Sequence, residues 1–195
     1  MRAMKNKFFG LLTLFVLLNF LPSTSTAEAS NTNVQRLMNE AKVCLENKNI
    51  KCALQKISTA ISLSPKCVEC YRFRARIWIG VKNYKNAIAD YTRILRMEPQ
   101  KYPHVYYLRG DCFAEIGFYA QAIKDYTACL KLMPKDGKVW YYRARVFALS
   151  GLMRDALGDI NQGLETGTHH ASSLIKLREA ILTGKPIPDH SPASN

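Results

Sequence analysis

Beyond Leu21 this 195-residue sequence has no apolar run long enough to cross a bilayer. It also lacks the common signatures of catalysis: no Gly-x-Ser-x-Gly elbow, no glycine-rich phosphate loop and no His-Glu-x-x-His. No enzyme activity, cofactor or metal is therefore expected. No Cys stands near Ala27, which argues against a lipid-anchored lipoprotein, and after Ala27 there is no Asn-x-Ser/Thr acceptor for glycosylation. Acidic residues are few, 15 against 28 Lys and Arg, for a formal charge of +13. Arg2, Lys5 and Lys7 lie in a segment expected to be removed, and taking three from thirteen leaves +10. That balance suits acidic partners, but Lys and Arg spread over solvated helix faces give the same total. Nucleic acid would rest on charge alone and is disfavoured by export.

The export reading comes from the N-terminus. A basic start precedes the apolar run Phe8 to Leu21, interrupted by Gly10, Thr13 and Asn19. The polar stretch Pro22 to Ala27 comes next, where Ser25 and Ala27 suit cleavage after Ala27, and Ala27 with Ala29 offers a second site. Residues 1–27 read as a signal peptide and 28–33 as a linker. The expected location is secreted, periplasmic or the lumen of a secretory compartment. The run falls short of the ~20 apolar residues of a span, so no stable membrane insertion is expected after its removal.

Most of the remaining chain is a repeat. Ala53, Ala87, Ala122 and Ala156 recur every 34 or 35 residues, and Pro65, Pro99 and Pro134 keep the same period. A second small column, Ala41, Ala75, Gly110 and Ala144, stands twelve places before the first. Small residues in two columns let helix backbones approach closely, and proline stops a helix. Each unit thus reads as a helix, a tight turn and an antiparallel helix. The expected pairs are 34–46 with 51–62, 70–81 with 85–97, 105–116 with 120–132, and 139–149 with 154–165.

These columns resemble the tetratricopeptide repeat family over 34–184. Tyr71, Ala75, Trp78, Ala87, Tyr91 and Pro99 make one nearly complete unit, and Tyr106, Gly110, Phe113, Ala122, Tyr126 and Pro134 the next. The terminal units depart from the pattern: the first has Leu37, Cys44 and Ile57 in aromatic columns, and the fourth has Gly163 and Thr168 at its end. The resemblance implies an all-α, superhelical solenoid of antiparallel helix pairs. A capping helix after Thr168 carries Leu174, Leu177 and Ile181 on one stripe and ends at Gly184. The tail 185–195, with three prolines and little to bury, reads as disordered. His169-His170 reads as a solvated cap.

A further pattern needs no family. Arg74 and Asp90, Arg109 and Asp125, and Arg143 and Asp159 each stand sixteen residues apart, while the first unit has Glu40 and Lys56 with the signs exchanged. A coordinated exchange is what facing charges produce, so each hairpin is expected to hold an ion pair rather than a catalytic array.

Six cysteines lie beyond the N-terminal segment. In an oxidising compartment Cys44 can reach Cys52 across a hairpin turn, and Cys67 is a near neighbour of Cys70. Each short loop closed would stabilise by roughly 2–3 kcal/mol in the chain-entropy model. Reduced thiols in small buried sites fit equally. Cys112 and Cys129 fall in packing columns. No haem, zinc or thioredoxin-like setting surrounds the Cys67–Cys70 pair.

Tetratricopeptide arrays present the inner faces of their first helices as a groove. By that resemblance the groove here would carry Lys42, Arg72, Arg76, Tyr107, Asp111, Tyr141 and Arg145, with Lys138 at the rim. Arginine forks grip carboxylates and tyrosine offers rigid contact area, which suits an acidic extended peptide; a merely solvated face fits the same residues. Met38 and Leu108 stand at two places where chaperone-binding members clamp a C-terminal carboxylate, so that ligand does not follow. Two functions remain: a scaffold or adaptor for a peptide or protein partner, and a holdase-like chaperone of unfolded chains.

Overall fold

The structure is a computed structural model and describes residues 24–188. Every regular element among them is an α-helix: α1 (Thr24–Glu46), α2 (Ile50–Leu63), α3 (Val68–Gly80), α4 (Tyr84–Met97), α5 (Pro103–Glu115), α6 (Tyr119–Leu132), α7 (Gly137–Leu149), α8 (Met153–Glu165) and α9 (Ala171–Thr183). The expected signal peptide lies outside the described residues up to position 23, and none of the described helices is long and apolar enough to cross a membrane. From α2 to α8 the helix bounds lie within two residues of those expected. The exception is α1. The expected linker 28–33 is helical, because no Gly or Pro interrupts the chain between Thr24 and Glu46.

Two compact units divide the chain at Pro65. In the first, α1 and α2 form one hairpin, closed by the fully buried Ala41, Ala53, Ile57 and Ala60. Asn49 caps α2 by accepting from the Cys52 N–H at 3.0 Å. Lys56 reaches Glu40 at 2.6 Å, so the exchanged charges face each other. Arg36 also bonds Glu40 from one turn earlier, which makes the pair a triad.

The second unit holds three hairpins, α3–α4, α5–α6 and α7–α8, and the cap α9. Ala75, Ala87, Ala122, Ala144 and Ala156 are completely buried, as are Tyr91 and Tyr126. Gly110 belongs to the same seam: a Cβ there would come within 3.0 Å of the Tyr126 ring. At Gly163 a Cβ would approach Leu174 at 2.9 Å and Trp140 at 3.0 Å, so the cap and α7 close onto bare backbone. Leu174 and Leu177 are fully buried against Ala144 and Ile160, which seals the open end of the last hairpin. Pro99 and Pro134 come just after the ends of α4 and α6, and Pro103 opens α5.

Each hairpin turn needs one left-handed residue. Lys48, Lys82, Gly117 and Gly151 fill that place with φ of 56°, 57°, 77° and 79°. The first two lack glycine's freedom and bear a strain of about 1–2 kcal/mol each.

Inside each hairpin of this unit an arginine forks onto a buried aspartate. Arg74 donates from Nε and Nη2 to Asp90 at 2.9 and 2.6 Å, Arg109 to Asp125 at 2.7 and 2.7 Å, and Arg143 to Asp159 at 2.7 and 2.8 Å. The aspartate side chains are 5%, 6% and 9% exposed. The hydrogen bonds it donates to Asp90 push the Arg74 guanidinium above its ordinary range. Two of the forks also reach back one hairpin: Arg109 Nη1 donates to Thr92 at 3.0 Å and Arg143 Nη1 to Thr127 at 2.8 Å. Aromatic rings flank them, Tyr106 and Phe113 about Arg109, Trp140 and Phe147 about Arg143.

Asp125→Ala would strand the Arg109 charge, whose side chain is only 18% exposed. The expected loss is about 2–4 kcal/mol, below the 3–5 of a fully buried pair because Arg109 keeps some water. Glu40→Ala, on an exposed triad, is expected to cost clearly less. Urea unfolding of both variants measures the difference, and equal losses would show that burial does not set the strength of the pairs.

Candidate functional site

The first helices of the second unit, α3, α5 and α7, bring together seven of the eight expected groove residues. The eighth, Lys42, is exposed on α1 and belongs to the first unit. Contacts tie the three helices side by side. Arg72 on α3 meets His104 on α5 at 3.4 Å and also bonds Glu69 at 2.7 Å. The Lys138 ammonium on α7 sits 4.8 Å from the Tyr107 ring centre on α5, and the Tyr107 and Tyr142 rings are 5.3 Å apart.

Three equivalent positions run across this face one repeat apart: Arg76, Asp111 and Arg145. Their charges alternate in sign. Asp111 accepts from the Tyr126 hydroxyl at 3.5 Å. One repeat earlier, Tyr91 occupies the same register as Tyr126, but its buried hydroxyl has no hydrogen-bond partner among the described residues. Position 76 holds an arginine where position 111 holds a carboxylate, so the acceptor that serves Tyr126 has no counterpart one repeat earlier. Leaving such a group unpaired costs about 1–3 kcal/mol.

The tyrosines are less free than a groove lining implies. Tyr107 is half-buried and its ring packs with those of Tyr126 and Tyr142. Burial pushes Tyr107 and Tyr126 well above the ordinary phenol range and Tyr142 up to about 12. Tyr141 is half-buried, its hydroxyl raised by burial and opposed by Arg145. Tyr107 and Lys138 are thus largely committed to holding α5 against α7. Arg76 is exposed and makes no hydrogen bond or ion pair among the described residues.

Arg145 is engaged by the chain itself. Its Nε donates to the backbone carbonyl of Pro188 at 2.8 Å. Against the disorder expected of 185–195, residues 185–188 are thus placed. Gly184 takes a left-handed φ of 67°, the Lys185 N–H bonds the Ala180 carbonyl, and Ile187 packs on the core made by Ala144, Ile160, Leu174 and Leu177. The rest of the expected tail lies outside the described residues.

The structure joins the sulfurs of Cys44 and Cys52 and those of Cys67 and Cys70, with Cα separations of 5.8 and 5.3 Å. Cys112 and Cys129 are buried, and burial pushes their thiols up to about 12 and about 11, so neither is a reactive thiolate at neutral pH. Sequence reasoning missed Glu69, His104, Thr92, Thr127 and Pro188. The threonines had a signal, since Thr92 and Thr127 recur one repeat apart.

Comparison with known proteins supports the fold. Residues 103–136, spanning α5 and α6, match the family model of the tetratricopeptide repeat. A solved structure of MamA superposes with a TM-score of 0.64 at 18% identity, covering 76% of this chain and 86% of that one. A second MamA structure gives 0.64 at 19%, covering 74% and 79%. A tetratricopeptide repeat protein from Parabacteroides merdae ATCC 43184 gives 0.69 at 18%, covering 77% of this chain and 59% of that one. No curated protein matches the chain in sequence. Residues 103–136 thus match one tetratricopeptide repeat, and the described residues fold in antiparallel helix pairs as the solved structures do; at such identities the structural likeness speaks for the fold alone.

The contact between Arg72 and His104 makes a prediction. A guanidinium only donates, so His104 Nε2 accepts and the ring is neutral. Burial, and then the Arg72 charge, hold the imidazole below its usual range, with Glu69 opposing. The unfolded chain therefore takes up this proton first. Stability from this site is expected to be intact above about pH 6.5 and to fall as the pH drops through and below that value. Urea unfolding between pH 8 and pH 5 should show a shallower decline for His104→Gln than for the native chain; parallel curves would remove His104 as the cause.

Proposed function

We propose that this chain is an exported adaptor that holds an extended peptide or protein segment on the first-helix face of its second unit. The tetratricopeptide fold supports protein binding in general. The observation that supports this particular face is the Arg145 bond to a backbone carbonyl, with the unengaged Arg76 two repeats away on the same face. Between them Asp111 offers an acceptor. An extended segment alternates carbonyls and N–H groups, and a donor–acceptor–donor row suits it better than a uniformly basic groove would. Carboxylates on the partner have a place at Arg76, not near Asp111.

The row also favours an adaptor over a holdase. A holdase needs a broad apolar surface, yet on α3 to α8 and their turns the exposed large apolar side chains, Val81, Phe118, Leu132, Leu149, Leu152 and Met153, stand at helix ends and turns, and Ile175 and Leu182 lie on the cap α9. Export is supported by the N-terminal apolar run and by the two cysteine pairs at bonding distance.

Two measurements test this reading. Arg76→Ala is expected to weaken an affinity-captured partner by roughly 1.5–3 kcal/mol, the scale of a hydrogen bond to a charged group, with little change in melting temperature. Arg74→Ala, which breaks the fork to Asp90, is expected to do the reverse. Unchanged affinity for Arg76→Ala across several salt concentrations would move the search to another face. For export, N-terminal sequencing of the mature chain is expected to begin at Glu28 or Ser30; a retained Met1 would count against it.

A further inference from the structure

The last described residues form an extended segment of their own, and it lies on the first-helix face of the second unit. After α9 the left-handed Gly184 turns the backbone back, helped by the Lys185 N–H bond to the Ala180 carbonyl and by Lys185 Nζ on Glu179 at 2.8 Å. Pro186 and Pro188 then fix two φ angles, so little backbone freedom remains to be lost on docking. Ile187 packs on the core that includes the α7 residue Ala144, a core on which Tyr141 also packs. The next carbonyl, that of Pro188, takes the Arg145 Nε–H. An apolar side chain followed by a proline carbonyl is thus read by two different contacts, one with the core that α7, α8 and α9 share and one with Arg145 on α7.

We propose that the α7 end of the first-helix face is a site for an extended segment carrying an apolar residue followed by proline, and that Ile187-Pro188 is its resident ligand, which a partner must displace. This rests on the reading of that face as a binding surface and names the ligand chemistry it takes. Three features point to a ligand rather than a plain structural strap. The anchor is one half-buried side chain and one backbone carbonyl, not a helix or a large apolar block. The charge it engages, Arg145, occupies the register that holds the unengaged Arg76 two repeats earlier. The core beneath is already closed by Leu174 and Leu177, both fully buried on α9 itself. Tethering through α9 gives the segment an effective concentration on the order of millimolar, so even weak intrinsic affinity keeps the site occupied.

The test uses full-length chains and a synthetic peptide of residues 184–195 labelled with a fluorophore. Ile187→Asp releases the resident segment without touching the face. The labelled peptide is expected to bind Ile187→Asp at least tenfold more tightly than it binds the native chain. Adding Arg145→Ala to Ile187→Asp should remove most of that gain. Equal binding to the native and Ile187→Asp chains would overturn self-occupancy. No uptake by either up to about 1 mM, with a lowered melting temperature for Ile187→Asp, would overturn it in favour of a structural strap. Because the ligand is the chain's own tail, this outcome is independent of Arg76→Ala against an external partner: the tail can bind as stated while the adaptor reading fails, and the reverse.

Discussion

The Arg–Asp fork is the interaction on which the second unit depends. Each aspartate is nearly sealed from water, and alone it would be too costly to bury; the fork supplies two charge-assisted hydrogen bonds to a planar cation that matches it. Because the arginine stands on the first helix and the aspartate on the second, the bond fixes the rotation of one helix about its axis relative to the other. The alanine columns then meet in register, and only in that register do Tyr91 and Tyr126 fall inside. The aromatic rings beside Arg109 and Arg143 complete the enclosure. The first unit replaces this with an exposed triad of Arg36, Glu40 and Lys56, so its hairpin relies more on its alanines and on Ile57.

Much of this was legible in the sequence for a physical reason: close helix packing admits only small side chains at fixed places, and those places repeat. Ala53, Ala87, Ala122 and Ala156 mark them directly. The forks were legible because charge is conspicuous and the exchange at Glu40 and Lys56 tied the two positions together. The second half of each fork was not. Thr92 and Thr127 carry no charge, and they belong to the hairpin before the arginine they serve. The N-terminal part of α1 was missed because its expected start was set by the packing columns rather than by the absence of helix breakers.

The binding face was legible as a set of positions but not as a state. The periodicity assigns Arg72, Arg76 and Arg145 alike to the inner face, yet the structure gives them three different conditions. Arg72 is shared between Glu69 and His104, Arg145 is taken by Pro188, and Arg76 is unengaged. Composition read the tail as disordered since it counts apolar residues, and one isoleucine counts for little. What anchors 185–188 is geometry: a left-handed glycine that reverses the chain, and prolines that keep it extended. The acceptor that Tyr126 finds in Asp111 has no counterpart for Tyr91, because an arginine stands one repeat earlier at position 76.

The forks also have a direction. Arg109 and Arg143 each reach back to a threonine made earlier in the chain. During synthesis, which releases the chain from its N-terminus, α5 would find the acceptor on α4 already in place before α6 has emerged to supply Asp125. The first helices α5 and α7 can therefore each be oriented by the helix before them while their own partner helices are still missing, so this part of the array can be assembled one helix at a time as the chain leaves the ribosome.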